Sequence, residues 1–292
     1  MSPSTFWTVA LGLAMSWCPA ALFGQVRVAP DDAEKLALSK LSARYPPEAA
    51  AGRIQGPVLL DITVSEAGSV SEVKLIYGHP LLRDAAISGA KRRKYRPYLV
   101  EGRPTAFITV VGDTFTIDAS RLSERELGRR YLELRNDCLR STENHQGSEA
   151  ESVCSGALWM AGQMAAPGAK VDANNNIGSV YLLHGRFDTA RDYLSRALAG
   201  VQPGSEKGDV SYVYRNLGLA AQGLGDLSKA RESFAKAEAL LDRALASSTD
   251  QKVSARYSAD LKSILNLHLK TAQQAGATQE AGEIENRLAA LP

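Results

Sequence analysis

The sequence predicts an α+β protein in which a small β-β-α-β unit precedes an all-α superhelical array of repeated helix pairs. Two observations carry that prediction. Val58, Leu60, Ile62 and Val64 alternate with Asp61 and Thr63, the two-residue period of a half-buried strand. Further along, one skeleton occurs twice: Gly178, Gly185, Phe187, Ala190, Leu194 and Ala197 align with Gly218, Gly225, Leu227, Ala230, Phe234 and Ala237, a spacing of 218 − 178 = 40 residues. A fixed period of that size signals stacked helical hairpins.

Composition sets the outer limits. A chain of 292 residues, 45% hydrophobic and 23% charged, can bury a sizeable core and build two domains. A formal net charge of +2 gives no whole-chain attraction for nucleic acid, so no nucleic-acid partner is expected.

Residues 1–24 carry no charged side chain, and 6–23 are mostly apolar with Ala20, Ala21 and Gly24 near the end. This reads as a secretory signal peptide cut near Gly24 and Gln25. The alternative is an uncleaved membrane anchor, because about 18 apolar residues reach the lower limit for a span. Either reading places the remainder outside the cytoplasm, in the periplasm, and membrane association is expected only with the segment uncleaved. Residues 25–44 form a short linker with a helix expected over 31–43.

Within 45–117, the turn Glu66-Ala67-Gly68 joins the first strand to a second at 70–77, where Val73, Leu75 and Tyr77 share a side. Leu82, Ala85, Ala86, Gly89 and Ala90 recur at helical spacing behind Pro80, and 106–117 returns to strand chemistry. The motifs YPPEA, ITVSEAGSV, HPLLRDAA and YRPYLVEGRP resemble the C-terminal domain of the TonB family, with Tyr95 where that family commonly has Trp. The resemblance implies a domain that binds an exposed peptide segment of an outer-membrane receptor by adding a strand to its sheet. Carried onto 106–117, it implies a partner-binding edge at Phe107, Thr109, Val110, Val111, Asp113 and Phe115.

A long helix is expected over 118–144, capped by Asp118 or Ser120, with Leu122, Leu127, Tyr131, Leu134 and Cys138 on one face. A second helix is expected over 148–164. Stepping back 40 residues puts Cys138, Ala150, Cys154 and Ala157 at the small and apolar repeat positions, so 118–292 reads as an array with clear copies at 171–204 and 211–244. Helices at 252–274 and 279–291, joined at Gly276, form a degenerate last pair. The small, Gly, aromatic, Ala and Ala positions carried by Gly178, Gly185, Phe187, Ala190 and Ala197 resemble the tetratricopeptide repeat, although that repeat has about 34 residues. Family geometry would place Asn175, Ser179, Leu182, Tyr212, Arg215 and Leu219 on the concave face. Asn176 and Asn216 occupy matching places, where helix-capping or hydrogen bonding between repeats is expected, the alternative being a hold on a peptide backbone or C-terminal carboxylate. Cys138 lies where Gly178 and Gly218 lie, and Cys154 where Leu194 and Phe234 lie; in an exported chain these two cysteines are a candidate disulfide.

No catalytic residue, metal ligand or cofactor site emerges. The four histidines are scattered, with no HExxH pair, P-loop, GxSxG or dinucleotide fingerprint. The run Lys91 to Lys94 with Arg96 reads as cations gathered at a helix C-terminus, the alternative being a patch that binds an acidic peptide or a lipid head group; 40–113 holds eleven basic against seven acidic residues, a modest excess. The expected function is a non-catalytic adaptor of the bacterial cell envelope that binds a protein or peptide segment. The alternative is an atypical TonB-family energy transducer kept at the inner membrane.

Overall fold

The structure, a computed structural model, describes residues 26–39, 43–116, 122–144, 147–202 and 210–291. The leader at 1–24, the expected caps Asp118 and Ser120, His145 and most of the 200–208 connection lie outside those residues. The sheet comprises β1 (Val26–Arg27), β3 (Gly56–Val64), β4 (Val70–Tyr77) and β8 (Phe107–Phe115), ordered β1-β8-β3-β4. β3 is antiparallel to both β4 and β8, whereas β1 is parallel to β8. Helix α3 (Pro80–Lys91) covers one face, burying Leu82, Ala86 and Ala90 against Leu60 and Ile62 of β3 and Phe107, Val111 and Phe115 of β8. Two ribbons flank this unit: β2 (Ala37–Ser39) with β5 (Lys94–Tyr95), and β6 (Tyr98–Val100) with β7 (Arg103–Thr105). Short helices α1 (Pro30–Leu36) and α2 (Pro47–Ala51) each begin on proline, whose fixed φ suits a first turn.

Behind the sheet, α4 (Glu124–Glu143) and α5 (Gly147–Gly162) form the first helical pair. Then α6 (Pro167–Leu183) pairs with α7 (Phe187–Ala199), α8 (Ser211–Gly223) with α9 (Leu227–Ser247), and α10 (Gln251–Gln274) with α11 (Thr278–Ala290). Gly185, Gly225 and Gly276 turn the chain within these pairs at φ of 67°, 78° and 69°, a conformation that glycine adopts without steric penalty. The repeat register is visible at the crossings. A Cβ on Gly178 would lie 2.8 Å from Leu194 Cγ, and one on Gly218 would lie 2.5 Å from Phe234 Cε1. In the first pair Cys138 and Cys154 stand at the same crossing and form a disulfide. At the far end, buried His268 ties three helices together, with Nδ1 2.7 Å from Glu238 Oε1 and Nε2 3.0 Å from Glu280 Oε1. Arg287 donates to Glu238 Oε2 at 2.6 Å, so the buried carboxylate is paired on both oxygens.

Three local expectations need correction. The face of β3 carrying Asp61 is not wet: β3 is buried on both sides, because α5 packs on it, with Gly156 against Leu59 and Ile76. α5 can do so because residues 152–166 carry no charge, and a helix that is apolar all round is a buried one. The helix expected over 31–43 stops at Leu36. There the Leu36 carbonyl accepts from Arg96 N–H at 2.8 Å and the chain continues as β2; pairing with β5 outweighs local helix propensity. The cap of α4 is Ser123, which accepts from Glu126 N–H at 3.3 Å.

Two outcomes follow from this packing. Gly218→Leu forces a side chain into the Phe234 ring and lowers stability by about 1–3 kcal/mol, whereas Gly282→Ala, at an open helical position, raises it by roughly 0.5–1 kcal/mol. Urea unfolding measures both, and an unaltered midpoint for Gly218→Leu contradicts the register. Peptide mapping of oxidised, denatured protein recovers Cys138 and Cys154 linked. Reduction lowers stability by about 3 kcal/mol in the loop-entropy account; alkylation of both thiols without reductant contradicts the bridge.

Candidate functional site

β8 has β3 on one side and only a short neighbour on the other. In an antiparallel ladder, alternate residues turn their main-chain groups toward and away from a given neighbour. Val28 N–H donates to the Ile108 carbonyl at 2.8 Å, which identifies Ile108 as facing outward. Ile108, Val110, Gly112 and Thr114 therefore present main chain to the outer edge, while Phe107, Thr109, Val111, Asp113 and Phe115 direct theirs to β3. Of the six edge residues expected from the sequence, only Val110 offers its main chain to a new strand. β1 occupies Ile108 and then ends, because Pro30 turns the chain into α1. Among the described residues, no backbone hydrogen bond reaches the outer side of β8 beyond Ile108.

That uncovered stretch borders a cavity of about 330 Å³. Its walls are α1 (Pro30, Ala33, Glu34), β2 (Ala37, Ser39) and α5 (Trp159, Gln163), with Arg93 and Tyr95 at one side. Trp159 packs against the sheet where Gly112 gives it room; a Cβ there would be 2.3 Å from Trp159 Cζ2. Arg93 donates to Asp113 Oδ1 at 2.8 Å. Burial pushes the Asp113 carboxyl above its ordinary value, with Arg93 and the Ala43 amide pulling the other way. Arg93 Nε, Asp113 Oδ2 and Ser39 Oγ are buried and have no hydrogen-bond partner among the described residues. A buried polar atom without a partner is costly, and an extended main chain would supply both donors and acceptors.

The wall formed by β1 and α1 is fastened by charge. Arg27 donates from Nη1 to Asp61 Oδ1 and from Nη2 to Asp61 Oδ2, each at 2.8 Å, with both residues 8% exposed. Ser152 of α5 donates to Asp61 Oδ2 at 2.5 Å, and Glu151 lies 3.5 Å from Arg27 Nε. α1 reaches the array through Asp31 to Lys170 at 3.4 Å and through Asp32 to Arg196. None of Arg27, Asp61, Ser152 or Trp159 was singled out from sequence. The polar residue at the centre of an apolar strand was the available signal.

On the array, Asn216 Nδ2 donates to Asn175 Oδ1 and to Ser179 Oγ, each at 2.9 Å. Arg215 donates to Asn216 Oδ1 at 3.2 and 3.1 Å and stacks on Tyr212, whose hydroxyl donates to Asp260. Burial, together with Asp260, pushes the Tyr212 hydroxyl up to about 12. Asn175, Ser179, Tyr212 and Arg215 thus meet in one network, with Asn216 at its centre and Asp260 as a member the sequence did not indicate. Leu182 and Leu219 pack against the helical cores instead. Asn176 has a buried Nδ2 with no partner among the described residues, so the two matched asparagines differ in role. Among the described residues, no group of three or more His, Cys, Asp or Glu is placed to hold a metal ion.

Residues 42–117 match the family described as Gram-negative bacterial TonB protein C-terminal, and residues 171–243 match the tetratricopeptide repeat. The chain thus carries a stretch that matches the TonB C-terminal family ahead of one that matches the tetratricopeptide repeat, and both matches point to protein–protein interaction. No curated protein matches the sequence. Among solved structures, BtubC (BKLC) from P. vanneervenii is similar at 16% identity over 57% of this chain and 89% of its own, with a TM-score of 0.35. A putative kinesin light chain of Podosopora anserina with nearly identical TPR-like repeats is 17% identical over 56% of this chain and 94% of its own, at a TM-score of 0.36. YrrB, described as a TPR protein with an unusual peptide-binding site, is 16% identical over 57% of this chain and 92% of its own, at a TM-score of 0.30.

Arg27→Ala leaves Asp61 buried without its counter-charge and is expected to cost about 3–5 kcal/mol. The paired replacement Arg27→Met with Asp61→Leu removes both charges and recovers most of that loss. Chemical denaturation of the three variants checks this; a single variant no less stable than the parent contradicts the lock.

Proposed function

We propose that this protein is an exported, non-catalytic adaptor of the bacterial cell envelope that captures an extended peptide segment of another envelope protein along the outer edge of β8. The observation that carries the reading is the conjunction of three outward-facing main-chain positions, Val110, Gly112 and Thr114, with a cavity where Arg93 Nε, Asp113 Oδ2 and Ser39 Oγ lack partners among the described residues. Strand addition draws affinity from main-chain hydrogen bonds and specificity from pockets for alternate side chains. From Val110 to Thr114 the edge spans roughly 13 Å, enough to pair a short segment. Trp159 offers an apolar platform, while Arg93 and Asp113 offer one charge of each sign. The TonB C-terminal match over 42–117 supports a peptide-binding sheet and hints at an envelope protein. Among the described residues, no helix is long and apolar enough to cross a membrane.

The array would hold the partner's remaining surface or a second protein. Its concave polar groups at Asn175, Ser179, Asn216 and Arg215 already satisfy one another, so a ligand there gains little from displacing them. The β8 edge is therefore the primary site.

A photo-crosslinking residue at exposed Thr114 captures the envelope partner in cells, and Val110→Pro abolishes that capture. Proline at 110 removes an outward N–H and leaves the ladder to β3 intact, since Val110 does not direct its main chain to β3. Circular dichroism confirms folding, and Thr114→Pro, at the strand's exposed end, supplies a milder variant with the same expected direction. Undiminished capture by folded Val110→Pro protein sinks the strand-addition reading.

A further inference from the structure

We propose that the β6–β7 hairpin, with the cations around it, is a docking surface for an anionic lipid bilayer. The hairpin turns at Glu101 and Gly102, with φ of 50° and 77°, and carries Leu99 and Val100 at its tip, 57% and 38% exposed. Tyr98 anchors its base, 5.6 Å from the Phe107 ring, so the tip projects from a fixed stem. An exposed apolar feature rimmed by polar residues marks an interaction site.

Charge identifies the occupant. Residues 91–103 hold six basic side chains and one acidic. Arg93 is taken by Asp113. Lys91 and Arg92 sit at the C-terminus of α3, where the helix dipole accounts for them. Lys94, Arg96 and Arg103 lie beyond that helix and are exposed. Lys94 donates to the neutral Ser69 hydroxyl at 2.8 Å. Among the described residues none of these three forms an ion pair. Basic side chains beside exposed aliphatic ones are the composition of a surface that lies on a bilayer, with charge attracted to anionic headgroups and the apolar tip entering the interface. An acidic peptide would use the cations but would leave Leu99 and Val100 without a role. The surface uses none of the groups assigned to the β8 slot, so either assignment can fail without the other.

The test is flotation of the full chain with vesicles of pure phosphatidylcholine and of phosphatidylcholine with phosphatidylglycerol, comparing parent, Arg96→Ser with Arg103→Ser, and Leu99→Ser with Val100→Ser. All carry the same N-terminus, so differences between them report the hairpin alone. Circular dichroism checks that each is folded. The expected result is that the parent prefers anionic vesicles, that the charge variant partitions roughly thirtyfold less, and that the apolar variant also loses binding at unchanged charge. Equal partitioning of all three overturns the proposal. So does loss in the charge variant alone, which would identify an acidic ligand held by the cations, as would competition by free inorganic phosphate equal to that by anionic vesicles.

Discussion

Asp61 is a carboxylate in the middle of a strand that is covered on both faces, and nothing in the structure constrains it more than the need for a counter-charge. A buried ion is tolerated only when paired and hydrogen-bonded. Arg27 meets both oxygens of Asp61, Ser152 adds a donor, and Glu151 faces the guanidinium from the other side. These groups come from β1, β3 and α5, so one ionic cluster joins the N-terminal segment, the sheet and the first helical pair. The sheet and the array consequently share apolar contacts: Ala29 and Leu59 belong to the same core as Leu134, Cys154 and Ile177.

That junction also shapes the proposed binding edge. Because Arg27 must reach Asp61, β1 lies on the start of β8 and covers Ile108. Because Pro30 follows, the cover ends there and α1 forms a wall instead of a continued strand. α5, drawn onto the other face, places Trp159 over Gly112. The slot is thus what remains of the sheet edge after the intramolecular strand has taken its share, and its length is set by where the first helix begins. In the array, by contrast, polar residues on the inner helices bond one another across α6, α8 and α10, which rigidifies the stack and commits Asn175, Ser179, Arg215 and Asn216 to one another.

Much of the fold was legible in the residues. Small side chains at Gly178 and Gly218 require partners such as Leu194 and Phe234 at a tight crossing, and extending the same spacing to Cys138 and Cys154 located a disulfide before any coordinates. Alternation located β3 and β4. What was not legible has physical causes. Arg27 lies 34 residues before Asp61, outside the recognisable unit, so no local pattern joins them. The uncharged run at 152–166 signalled a helix buried all round, but a repeat register asks only which face meets the next helix. Strand periodicity reveals which way side chains point, not which main-chain groups face an edge. That depends on pairing, and Val28 on Ile108 decides it.

Residue-resolved amide hydrogen exchange along β8 tests the central claim most directly. The account predicts slow exchange at Thr109, Val111 and Asp113, which bond to β3, and at Ile108, which faces β1. Val110, Gly112 and Thr114 are expected to exchange far faster and to become protected when the captured peptide is added. Protection at Val110 and Gly112 equal to that of their neighbours in the free protein would mean that the edge is already closed, and would contradict the account.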